Sequence, residues 1–159
     1  MTEQDGRGRG LSVPASVPGE ALEQAAIRAA RNMVAHQPGD LVALTSLSDQ
    51  LIQARRPRQA LDALAMAATV APDYAPVARM QALAYLELGL VDSAGLASQR
   101  VLSGNDATSW DWGFTGRVRL RQGRVGEARA AYRRALELDP ARDEYRQGLA
   151  RAESMEGVN

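Results

Sequence analysis

Residues 109–142 read SWDWGFTGRVRLRQGRVGEARAAYRRALELDPAR, two stretches of helical apolar spacing joined at Gly123 and closed by Pro140. The same layout recurs through the chain. Pro38, Pro72, Asp106 and Pro140 stand 34 residues apart, as do Ala26, Ala60, Ala94 and Ala128, and then Met33, Ala67, Val101 and Ala135. Leu51 with Tyr85, and Gly89 with Gly123, keep the same step. This is the length of a helix–turn–helix unit that cannot bury its apolar face alone and must stack on a neighbour. Stacked units make a curved surface suited to holding another chain.

Counted from Ser109, position 4 is Trp112, 8 is Gly116, 20 is Ala128, 24 is Tyr132, 27 is Ala135 and 32 is Pro140. On these residues the chain resembles the tetratricopeptide repeat family. Thr115 at position 7 and Arg119 at position 11 depart from the family's Leu and aromatic residue. The unit 75–108 keeps Tyr85, Gly89 and Ala94 but has Ser98 where a large apolar residue is usual. The unit 41–74 keeps Leu44, Leu47, Leu51, Ala60, Leu64, Ala67 and Pro72, with Arg55 at the turn glycine. The resemblance implies an all-α, right-handed solenoid of about three helix pairs, with an unpaired helix before them and a capping helix after.

The expected organisation is a tail at 1–19 and one domain at 20–157. Gly6, Gly8, Gly10, Pro14, Pro18 and Gly19 give the tail a composition that cannot form a packed core. In the 34-residue register, 20–38 is the second half of a unit, with Leu22, Ala26, Ala29, Ala30 and Met33 at helical spacing. Full units follow at 41–74, 75–108 and 109–142. Their helices are expected near 41–54 and 57–70, 75–88 and 91–103, 109–122 and 125–138. Asp40, Asp73 and Thr108 stand where N-caps are needed, and Pro57 suits a first turn. Residues 143–157 close the stack as a cap, with Tyr145, Leu149 and Ala152 on one side and Arg146, Glu153 and Glu156 on the other.

The 159 residues suffice for one domain. They are 45% hydrophobic but only 4% aromatic, so the core must rest on Leu, Val and many alanines. Cysteine and lysine are both absent, which excludes disulfides, thiolate chemistry, Schiff bases and a phosphate-loop lysine. The arginine-only basic set reads as the codon usage of a GC-rich bacterium. Nineteen arginines balance nineteen acids, so the chain as a whole does not steer toward polyanions. No stretch reaches a membrane span, and the first twenty residues lack a signal peptide's apolar core. The expected place is the cytoplasm.

Little here points to catalysis. His36 is the only histidine and sits at a helix end, where it suits the dipole. No second His or Cys exists to complete a metal site or triad. Asp143 and Glu144 are neighbours at a helix start, and the glycines at 6, 8 and 10 lack a strand-to-helix context. No enzyme activity, cofactor or metal is expected.

Positions 2, 5, 6, 9, 12 and 13 of each first helix share a stripe, which in the tetratricopeptide architecture lines the concave groove. Units two and three there carry Arg79, Met80, Leu83, Trp110, Phe114, Arg117 and Arg121, and the cap adds Glu144, Gln147 and Arg151. Aromatic, Met and Arg side chains are what binding hot spots favour. Arg79, Met80, Leu83, Trp110, Phe114, Arg117, Arg121 and Arg151 are therefore the candidate partner-binding residues. Leu83, Leu86, Leu120 and Phe114 could equally be packing residues.

Some tetratricopeptide proteins hold a C-terminal carboxylate with Lys, Asn and Arg at set positions, where this chain has Thr45, Asp49, Met80, Trp110 and Phe114. That clamp is absent. The expected function is a non-catalytic protein-interaction module, whether adaptor, assembly factor or regulatory partner, binding a segment with apolar and acidic side chains. One alternative is a self-assembling scaffold, in which the opening helix, near Leu22 and Ile27, or the groove itself mates with another copy. A more distant one is nucleic-acid binding through the arginines of 117–134, although helical spacing scatters these over several faces.

Overall fold

The computed structural model describes residues 18–156. Eight helices follow one another: α1 (Pro18–His36), α2 (Leu41–Gln53), α3 (Pro57–Val70), α4 (Ala75–Glu87), α5 (Val91–Leu102), α6 (Ser109–Arg121), α7 (Val125–Leu138) and α8 (Asp143–Glu156). Each packs on the next, and α2 also meets α4, as α6 meets α8. The stack is an α-solenoid with no strand among the described residues. The tail expected at 1–19 lies outside them, except that Pro18 and Gly19 open α1.

Local signals set the helix ends. Asp40 Oδ1 accepts hydrogen bonds from Val42 N (2.8 Å) and Ala43 N (3.2 Å), satisfying donors that the first turn of α2 leaves free. Thr108 and Asp111 form a reciprocal capping box on α6. Asp73, expected to cap α4, does not. The helix begins at Ala75 with Pro76 in its first turn, so Tyr74 takes the cap position, without a side-chain bond.

Within each unit the turn needs one left-handed residue, supplied by Arg55 (φ 57°), Gly89 (φ 74°) and Gly123 (φ 73°). The next amide then reaches back five residues: Arg56 N to Leu51 O, Leu90 N to Tyr85 O and Arg124 N to Arg119 O, at 2.8–2.9 Å. Arg55 does with an L side chain what the glycines do without strain.

The core runs along the stack as three apolar clusters. Ala60, Ala94 and Ala128 are fully buried, as their column predicts for the helix crossing. Ile27, expected to lie open beside Leu22, is buried with Ala30 and packs in the cluster that holds Leu44 and Leu47. A helix advances about 100° per residue, which turns Ile27 toward the stack and leaves Leu22 on the opposite side.

Candidate partner-binding groove

Arg79 does not stand free in the groove. Its Nε donates to Asp111 Oδ1 at 2.7 Å, and its Nη2 donates to Asp111 Oδ2 at 2.9 Å and to the Asp106 carbonyl at 3.3 Å. Asp111 is buried and also accepts from Thr108 N and Oγ1, each at 2.8 Å. Burial alone would raise its carboxyl pKa, but the bonds from Arg79 and Thr108 outweigh that and hold it below the usual carboxylate value. The same bond raises Arg79. Arg79 therefore braces α4 against α6.

Phe114 is likewise a packing residue, only 5% exposed, in a cluster with Ala82, Leu86, Ala94, Ala97 and Val118. Small Ser98, also buried, leaves the room: a gap of only about 10 Å³ remains among Ser98, Trp110, Phe114 and their neighbours. The Ser98 hydroxyl turns back to its own helix, donating to Ala94 O and Gly95 O. Met80 and Leu83 are half-buried against the first cluster.

What stays accessible begins at Trp110, which is 41% exposed and stacked on Phe114 with ring centroids 5.1 Å apart and 19° between planes. Arg117 covers the other end, its guanidinium carbon 5.0 Å from the Phe114 ring centre. Successive turns of α6 thus carry an aromatic shelf into a basic end. There, Arg117 and Arg121 of α6 and Arg151 of α8 line an open cavity of about 500 Å³ with Leu120, Tyr132, Glu144 and Gln147. None of the three arginines has an ion-pair partner among the described residues. Burial raises the pKa of the Tyr132 hydroxyl beside them.

The remaining arginines of 117–134 are largely neutralised. Arg119 and Arg124 both meet Glu127, Arg134 meets Glu137, and Arg129 and Arg133 meet Glu156 and Glu153 of α8. Sequence reading counted these charges without the acids that α8 brings back across the chain. Among the described residues no group of three or more His, Asp or Glu could hold a metal ion. No helix there is long and apolar enough to cross a membrane.

Two close fits also escaped the sequence reading. A Cβ on Gly148 would come within 2.4 Å of the Tyr132 ring, and one on Gly113 within 2.2 Å of Tyr145. Gly148 and Gly113 let α8 settle onto α6 and α7 over two buried tyrosines. The 34-residue offset held the signal, since Gly148 and Tyr132 are the repeats of Phe114 and Ser98.

A family model described as tetratricopeptide repeat matches residues 109–152. A search of curated proteins found no match. Among solved structures, the chain is similar to MamA, with 19% identity, 88% of this chain and 82% of that one covered, and a TM-score of 0.80. It is similar to TTC0263, a thermophilic tetratricopeptide protein of Thermus thermophilus, at 29% identity, 84% and 74% coverage and a TM-score of 0.73. A third likeness is to the first tetratricopeptide domain of Spaghetti (RPAP3) bound to the HSP90 peptide SRMEEVD, at 19% identity, 74% and 93% coverage and a TM-score of 0.71. The 34-residue register, the helix pairs closed by left-handed turns and these likenesses agree: the chain has the solenoid fold of tetratricopeptide-repeat proteins, and the family's repeat matches it at 109–152.

Proposed function

We propose that this chain is a non-catalytic protein-interaction module that holds a partner segment in the groove of α4, α6 and α8. The cavity among Arg117, Arg121 and Arg151 carries this reading: three arginines with no ion-pair partner among the described residues share an open volume with Glu144, and the exposed Trp110 stands two turns before Arg117 on the same helix. Arginine recognises carboxylates with paired donors, and Trp110 offers apolar area already stiffened by stacking on Phe114. The segment expected is mixed, with acidic side chains toward α8 and an apolar one on Trp110.

RPAP3's first domain is named with an HSP90 peptide, but at 19% identity that likeness concerns the fold. Thr45, Asp49, Met80, Trp110 and Phe114 occupy the positions of the carboxylate clamp, so chaperone-tail binding does not carry over. The neutralised arginines on α7 favour an acidic protein segment over nucleic acid. Selection from a displayed library of charge-balanced peptides tests the reading. It predicts enrichment of sequences that pair Asp or Glu with an aromatic or aliphatic residue. Enrichment of basic sequences, or none, would refute it.

A further inference from the structure

α1 is the second helix of a unit whose first helix does not occur among the described residues. Ile27 and Ala30 bury one side of it against α2. The other side is open. Ala29 repeats as Ala63, Ala97 and Ala131, and Met33 as Ala67, Val101 and Ala135, all six buried in complete units. On α1, Ala29 is exposed, Met33 is 51% exposed and Leu22, on the same side, 74%.

α8 presents the opposite case, a first helix without a second among the described residues. Its Ala150 repeats Ser48, Ala82 and Gly116, the small residues that let each first helix approach its partner. Those three are buried, with Ser48 Oγ 3.5 Å from the Ala60 carbonyl and Ala82 packed in one cluster with Ala94. Ala150 is exposed.

We propose that the occupant of the open α1 face is α8 of a second copy, so that the two half units compose a complete one across the contact. The register sets Ala150 over Ala26, continuing the series Ser48 over Ala60, Ala82 over Ala94 and Gly116 over Ala128. Arg146 falls in the column of Leu44, Ala78 and Trp112, where its methylene stem can cover Met33 while the guanidinium keeps its exposed contacts with Asp143 and the Pro140 carbonyl. The interface is an in-register continuation of the one that already joins α2 to α3, α4 to α5 and α6 to α7. Because one surface meets a different one, the contact leaves each copy a free end, and copies add end to end. Arg117 and Arg121 lie on α6 and take no part in it; α8 serves the groove as well through Arg151, so a substitution on α1 is the one that separates association from groove binding.

The test uses the full chain, wild type, Ala29→Glu and Ala150→Glu, followed by sedimentation velocity over a hundredfold range of concentration. Both substitutions fall at exposed helical sites; circular dichroism checks folding, and Met33→Glu replaces Ala29→Glu if that variant melts early. Wild type should grow past a dimer as concentration rises, and each variant alone should remain monomeric. An equimolar mixture of the two should form a dimer and nothing larger, since one copy keeps α8 and the other keeps α1. A wild type that is monomeric throughout would overturn the proposal, including the case in which residues 1–17 cover α1. Sensitivity to Ala29→Glu alone would assign the contact to two α1 faces, and insensitivity to both would assign it to another surface. Either result would overturn it.

Discussion

Tyr132 and Gly148 meet so closely that a single methyl group on the glycine would stand 2.4 Å from the ring. One repeat earlier the sizes are exchanged, with Ser98 in place of the tyrosine and Phe114 in place of the glycine. These two joints are thus each filled once, by an aromatic from one side or the other, while at the joint before them Leu64 and Met80 stand in the same places. The choice decides what the groove shows, because Phe114 sinks into the joint and leaves Trp110 and Arg117 stacked on it.

Gly148→Ala should therefore destabilise the chain by about 1–3 kcal/mol through overpacking. Ser98→Tyr should do the same by competing with Phe114, and adding Phe114→Ala should recover part of the loss. Urea denaturation of the two single variants and the double reads this directly. Strict additivity would show that Ser98 and Phe114 do not share one space.

Breaking the brace between α4 and α6 should show in the acid limb of stability. The folded-state pKa of Asp111 is depressed, so its contribution is complete above the ordinary carboxylate value of about 4 and is lost as pH falls through the lower folded value. Asp111→Asn should lower stability at pH 7 by about 2 kcal/mol and flatten the decline below about pH 4. An unchanged acid limb in the folded variant would contradict the assignment.

Arg55 holds a left-handed turn without being glycine, and its ion pair with Glu87 is exposed. Arg55→Gly should relieve the side chain's strain at the cost of a more flexible unfolded chain, for a net gain of about 0.5–1 kcal/mol. A loss of stability would mean that the ion pair outweighs the strain.

The period was legible because small residues recur where helices cross, and Ala60, Ala94 and Ala128 are buried as their column required. The turns were legible for a similar reason, with Arg55 occupying the backbone place of Gly89 and Gly123. The groove was legible only in part. Arg79 and Asp111 lie 32 residues apart, and nothing in the stripe that contains Arg79 points to the acid on the next unit. Phe114 shares a helical stripe with Trp110, so spacing alone could not separate the buried ring from the exposed one. The missing clue was Ser98, whose small size makes the hole that Phe114 fills. Ile27 was misplaced because α1 is apolar on two sides, and only contact with α2 decides which side is covered.

The most direct measurement is calorimetric titration of one library-selected acidic and apolar peptide into wild type, Trp110→Ala and the double variant Arg117→Glu/Arg121→Glu. Trp110→Ala should cost about 2 kcal/mol of binding energy. The charge-reversed double variant should lose binding at low salt by tenfold or more, and its difference from wild type should shrink as salt rises. Wild-type affinity in a folded Arg117→Glu/Arg121→Glu protein would contradict the account, because the basic cavity would then have no part in holding the partner.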